Sequence, residues 1–222
     1  VVLLAEGAEE SVVTQQPFAA LRPFLGPPQA PGERCELCAT PVGEEHAHVV
    51  NVETRELLCA CLPCHLLFTN PGAARGRYRA VPRRHVRDPG FRLSEAAWER
   101  LQIPVRMAFL FRNSKLDRVV AFYPSPAGAT ESLLALGAWD QLCEENPRLH
   151  EVEPDVEALL VYGGRDGAGF RSFVVPINAC YELVGRVRQK WRGLNGGEEA
   201  WQAIDDFFAA LESRCETPWA DE

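Results

Sequence analysis

The sequence contains no run of about 18 apolar residues, so it offers no helix that would span a membrane. It also lacks an excess of positive charge. Lys and Arg number 23 against 31 Asp and Glu, a formal net charge of −8. A chain with that balance is not built to coat nucleic acid, so nucleic acid is not an expected partner. GxSxG, HExxH, a Walker loop and a dinucleotide fingerprint are all missing. Their absence leaves out the common signatures of hydrolase, metallopeptidase, nucleotide and dinucleotide chemistry. His85 lies among arginines and His150 in an acidic stretch, neither beside an evident nucleophile, so no catalytic residue and no enzyme is expected. The opening VVLLAEGAEE has neither a basic n-region nor a long apolar h-region. It does not read as a signal peptide, and a cytoplasmic setting is expected.

What the chain does have is cysteine. Eight are present, and five of them, Cys35, Cys38, Cys59, Cys61 and Cys64, fall within thirty residues. Two are paired as Cys35-x2-Cys38 and two as Cys61-x2-Cys64. A CxxC turn folds two sulfurs toward one point, and two such turns joined by a hairpin complete a tetrahedral thiolate shell. Without a secretory leader, paired CxxC spacing favours a metal site over disulfides. Cys35, Cys38, Cys61 and Cys64 are the simplest ligand set. Cys59 is the spare: it shares a strand face with Cys61, and could replace it or sit beside the metal. His46, His48 and His65 are further candidate substitutes. Zinc is the expected metal and iron the alternative, since thiolates suit both. A closed four-thiolate shell has no position for substrate water, so a structural role is expected.

The chain as a whole, at 46% hydrophobic and 24% charged residues, has the composition of a folded protein. We divide it as follows: 1–34, an extended Pro- and Gly-rich arm; 35–70, the cysteine module, with two short strands flanking Asn51 to Thr54; 71–92, an Arg-rich loop with one brief strand near Tyr78 to Val81; and 93–215, an α+β domain. In the last, Ser94 is positioned to cap a short helix that Pro104 keeps from continuing. Strands are expected at 105–112 and 118–123, then a helix over 130–145. SPAGATES, Ser125 to Ser132, would be the tight strand-to-helix connection; with one glycine and no lysine after it, it is a poor phosphate cradle. A second hairpin is expected from 157–162 and 170–175. Asn178 would cap a helix with Cys180, Leu183, Val184, Val187 and Trp191 inward, and a final helix would bury Trp201, Ile204, Phe208 and Leu211. Asp205 and Asp206 are expected on its solvated side. The expected fold class is thus α+β: antiparallel hairpins packed with C-terminal helices, preceded by a small zinc-ribbon or treble-clef-like module.

Charge is strongly segregated along the chain. Seven arginines and one aspartate lie between Leu66 and Arg92, while eight acids and one arginine lie between Glu131 and Leu160. The two segments could neutralise each other. Alternatively Arg75, Arg77, Arg79, Arg83, Arg84 and Arg87 could bind an acidic protein partner, since guanidinium forks match carboxylates.

Several stretches together are distinctive: RCELC, LCACLPCHLLF, IPVRMAFLFR, VVAFYPSPAGATES, EPDVEALL and VPINACYELVGRVRQKWRGLNGG. From about Arg34 to Leu211 they resemble a family of uncharacterised bacterial proteins encoded beside actinobacterial-type NiFe hydrogenase genes. The resemblance implies a role in hydrogenase assembly, stability or electron transfer, with hydrogenase subunits as partners and the five clustered cysteines as metal-binding residues. It also raises iron, because rubredoxin-like proteins accompany hydrogenases. The second knuckle departs from a rubredoxin pattern, reading CLPCH rather than CPxCG. The expected function is a zinc-binding accessory protein; the alternative is a rubredoxin-like carrier of electrons.

Overall fold

The computed structural model describes residues 32–132, 137–164, 167, 169–193 and 196–215. Most of the 1–34 arm lies outside the described residues. So do Leu133 and Leu134 of the expected 130–145 helix, and Leu194 and Asn195.

The chain forms nine strands and five α-helices among the described residues. β1 (Ala47–Asn51), β2 (Glu56–Ala60) and β3 (Tyr78–Ala80) make a three-stranded antiparallel sheet in the order β2-β1-β3. α1 (Leu62–Leu67) follows β2 directly. The larger sheet contains β4 (Val86–Arg87), β5 (Met107–Asn113), β6 (Arg118–Ser125), β7 (Gly128–Ser132), β8 (Glu157–Tyr162) and β9 (Arg171–Pro176). Their order is β4-β9-β8-β5-β6-β7, every neighbour antiparallel.

The central strands read as unbroken apolar runs because both of their faces are covered. Alternation sorts their side chains. Phe109, Phe111, Leu160, Tyr162, Phe173 and Val175 face one layer, built from α4 (Ile177–Lys190) and α5 (Gly197–Arg214). Ala108, Leu110, Leu159, Val161 and Val174 face the other, built from α2 (Glu95–Arg100), α3 (Ala138–Glu145) and the 3-10 turn at Pro147–Glu151. The result is an α+β fold with antiparallel sheets and C-terminal helices. Ser94 caps α2 as expected, its hydroxyl accepting from the Ala97 N–H at 3.1 Å. Cys180, Leu183, Val184 and Val187 are buried on α4, and Ile204, Phe208 and Leu211 on α5.

Two expectations are corrected, the 130–145 helix with its SPAGATES connection and the Asn178 cap. The 130–145 helix begins only at Ala138; Gly128–Ser132 is instead an edge strand paired with β6 from Ala121 to Ser125. Pro126 and Ala127 therefore turn a hairpin, and SPAGATES is no strand-to-helix connection and offers no helix N-terminus to an anion. Asn178 does not cap α4: β9 runs straight into the helix, Pro176 is the N-cap, and Asn178 lies inside the first turn. Asp205 and Asp206 are both exposed on α5 as expected, and the Asp205 carboxylate also accepts the Tyr162 hydroxyl at 2.7 Å. The second CxxC pair, Cys61 and Cys64, is carried on the short helix α1.

The segment 71–92 is not merely a connector, since it supplies β3 to one sheet and β4 to the other. Residues 33–215 fall in one unit, and Val50, Val52 and Val81 of the cysteine region join the same core as α4 and α5.

Candidate metal centre

The first pair of thiols sits on a tight turn. The Cys35 N–H donates to the Thr40 carbonyl at 2.8 Å, the Ala39 N–H donates to the Cys35 carbonyl at 2.7 Å, and Arg34 bridges to Pro41. The second pair follows β2. Cys61 is the N-cap of α1, Pro63 occupies the first turn, and Cys64 lies one residue further into the helix. Pro fits there because the first-turn N–H groups have no intrahelical acceptor. The β1–β2 hairpin brings the two turns together: the Glu36 N–H donates to the Cys59 carbonyl at 2.9 Å, and the Glu36 carboxylate accepts the Cys59 N–H at 2.6 Å. His65 is buried on α1, its Nδ1 3.1 Å from the His48 carbonyl. That contact ties the helix to β1 and keeps His65 out of the thiol cluster.

The four sulfurs of Cys35, Cys38, Cys61 and Cys64 all lie within 4.8 Å of one another, and Cys38 Sγ is 3.5 Å from Cys61 Sγ. A tetrahedron with Zn–S bonds of about 2.3 Å has S–S edges of about 3.8 Å. The cluster is therefore geometrically compatible with zinc coordination. All eight cysteines are free thiols.

The electrostatics of the cluster point the same way. Contact with the Thr40 hydroxyl and backbone, then with Cys35 and Cys61, draws the Cys38 thiol down to about 6. Contact with Cys61, then burial, pushes Cys64 up to about 12. Backbone N–H groups of Cys61, Leu37 and Cys38 reach Cys35 and favour its thiolate, outweighing the burial that opposes it. Sulfurs this close cannot all hold negative charge unaided. A bound cation removes the conflict, and metal binding releases the remaining protons.

Cys59 does not join this group. The strand ends at Ala60, so the shared-face argument linking Cys59 to Cys61 fails. Cys59 pairs across the hairpin with His48, and its Sγ groups with His46 and His48. Burial, then the nearby His46, holds His48 down to about 4.

The arginines divide. Arg84 forks onto Glu157, with Nε 2.6 Å from Oε1 and the terminal nitrogen 2.8 Å from Oε2. Arg79 reaches the Glu153 carboxylate at 3.0 Å and the Pro154 carbonyl at 2.6 Å. Arg77 lies 3.4 Å from Glu53, and Arg87 lies 3.8 Å from Glu212. The basic and acidic segments therefore neutralise each other within the chain, most firmly through Arg79 and Arg84. Of the six arginines expected to meet a partner, Arg84 has its guanidinium fork closed on an internal carboxylate, while the side chains of Arg77 and Arg87 remain about half exposed. Arg75 and Arg83 have no ion-pair partner among the described residues.

A cavity of about 310 Å³ lies between the hairpin and the larger sheet, lined by Val50, Val52, Leu57, Phe111, Val120, Phe122 and Tyr181 among others. No cysteine or histidine lines it, so it is separate from the thiol cluster. Among the described residues no helix is long and apolar enough to cross a membrane.

Fold and site together define an α+β protein with a four-cysteine cluster geometrically consistent with a small metal-binding module. Residues 34–215 match the model of a family of unknown function (DUF5947), and the chain belongs to that family. No curated protein and no solved structure matches it.

Proposed function

We propose that this is a zinc-binding accessory protein that docks on a NiFe hydrogenase or its maturing subunits. The observation that carries the reading is the convergence of four sulfurs within 4.8 Å. A shell of four thiolates satisfies zinc fully and leaves no position for water, so the metal's role is to hold the module folded. The second thiol pair comes from the N-terminus of a helix that follows a hairpin, which favours a treble-clef-like arrangement over a ribbon. Beside those thiols, Leu62, Leu66 and Leu67 of α1 are 55%, 57% and 65% exposed. Three exposed leucines on one short helix support a protein contact there. The hydrogenase partner and a cytoplasmic setting rest on the resemblance and on the reading of the sequence.

The test is the metal content of the purified full chain, with its visible absorption spectrum. Zinc bound through the four cysteines, lost in Cys35→Ser, with no colour, is the expected result. Iron with thiolate charge-transfer bands would replace this reading with an electron carrier. Co-purification with hydrogenase subunits, weakened by Leu66→Asp, tests the partner; no association with them would overturn that part.

A further inference from the structure

The fifth clustered cysteine has a set of partners of its own. His48 and Cys59 are directly opposed in the β1–β2 register, and His46 immediately precedes β1, two residues before His48. The His46 and His48 ring centroids are 4.7 Å apart. One ligand atom from each of His46, His48 and Cys59 lies within 4.8 Å of the other two.

The state of His46 is informative. Its side chain is only 8% exposed. Its Nδ1 lies 2.8 Å from the Gly43 carbonyl, an oxygen that can only accept, and 3.3 Å from a Glu33 carboxylate oxygen. In the neutral ring these acceptors place the proton on Nδ1, which leaves the lone pair on Nε2. That Nε2 is buried and has no hydrogen-bond partner among the described residues. Buried polar atoms are almost always paired, so an orphan of this kind asks for an explanation. A histidine whose far nitrogen donates to a carbonyl or carboxylate, leaving the near one bare, is the arrangement that metal-binding imidazoles adopt.

We propose that His46, His48 and Cys59 form a second metal site, distinct from the four-cysteine centre, that binds zinc. Two imidazoles and one thiolate are a donor set of intermediate softness that suits Zn²⁺. Zinc would accept the His46 Nε2 lone pair and displace the Cys59 proton. The Glu33 and Glu36 carboxylates beside the site would offset the remaining positive charge. Three protein ligands leave a fourth position open, so this site, unlike the closed centre, can exchange a water for a donor atom from a partner.

Zinc per chain decides the matter. The full chain would be incubated with excess zinc, freed of loose metal by gel filtration and analysed. Two zinc ions per chain are expected, falling to one in Cys59→Ser and in His48→Ala. Far-UV circular dichroism would confirm that both variants remain folded. Cobalt substitution gives an independent readout: Cys59→Ser should remove one cobalt equivalent and its thiolate charge-transfer intensity while the four-cysteine spectrum persists. One zinc in the wild-type chain, unchanged in both variants, would overturn the second site and leave the first intact. One zinc that Cys59→Ser and Cys35→Ser both abolish would also overturn it, by assigning Cys59 to the main centre. If the four-cysteine centre itself fails, Cys35→Ser would leave the wild-type metal content unchanged, which separates the two failures.

Discussion

Glu157 is fully buried, at 0% exposure, and its carboxylate accepts three hydrogen bonds: two from Arg84 and one from the Glu153 N–H at 2.9 Å. Replacing Arg84 by alanine removes both guanidinium bonds and leaves Oε1 with no donor. A charge-assisted hydrogen bond contributes about 1.5–3 kcal/mol, and breaking a buried pair from one side costs about 3–5 kcal/mol. Arg84 is itself 37% exposed, so water can partly replace it, and the lower end applies. We expect Arg84→Ala to cost about 3 kcal/mol, roughly a hundredfold in the folding equilibrium. With an m value of about 2–3 kcal/mol/M, the urea midpoint falls by about 1 M. The assay is urea unfolding followed by tryptophan fluorescence. The double variant Arg84→Met with Glu157→Leu should recover most of the loss, because a buried ion pair replaced from both sides is often near neutral. A midpoint for Arg84→Ala within about 0.2 M of wild type would refute the reasoning, since it would mean that the buried carboxylate does not need its guanidinium.

Three further outcomes are expected. Stripping the metal with a chelator should lower the melting temperature of the whole unit, because Val50, Val52 and Val81 share the core of α4 and α5; calorimetry showing an unchanged main transition would contradict that coupling. Phe208 is 1% exposed and stacks on Tyr162 with ring centroids 4.0 Å apart, so Phe208→Ala should cost about 3–5 kcal/mol by the same urea assay, and a cost under about 1 kcal/mol would count against that packing. Hydrogen bonds from Arg106 hold the Glu95 carboxyl below its usual range, so its contribution is present above the ordinary glutamate range and is lost as pH falls through the lowered value; Arg106→Gln should flatten that acid-side dependence, measured as melting temperature between about pH 3 and 6.

Part of this protein could be read from residues in order. Short apolar runs such as AHVVN and ELLCA on either side of a turn mark β1 and β2, Ser94 marks the start of α2, and the 3.6-residue spacing of Cys180, Leu183, Val184 and Val187 marks the buried stripe of α4. The CxxC spacings name the four thiols, because a short turn leaves its two sulfurs little freedom to separate. These signals are local: a few neighbouring residues fix the outcome whatever else the chain does.

Other features were decided only when distant segments met. Gly128–Ser132 is a strand because β6 offers an unpaired edge, an acceptor that no local propensity reveals. Arg84 and Glu157 are 73 residues apart, so charge segregation suggested neutralisation without saying which arginines would be consumed by it. Cys59 illustrates the division most sharply. In sequence it stands two residues from Cys61 and belongs with the thiols. In the fold, the strand ends at Ala60 and the helix starts at Leu62, so Cys61 turns toward the first knuckle while the hairpin register sets Cys59 against His48. Spacing determined how many cysteines the module has; strand pairing, a long-range hydrogen-bonded register, decided which atoms each one meets.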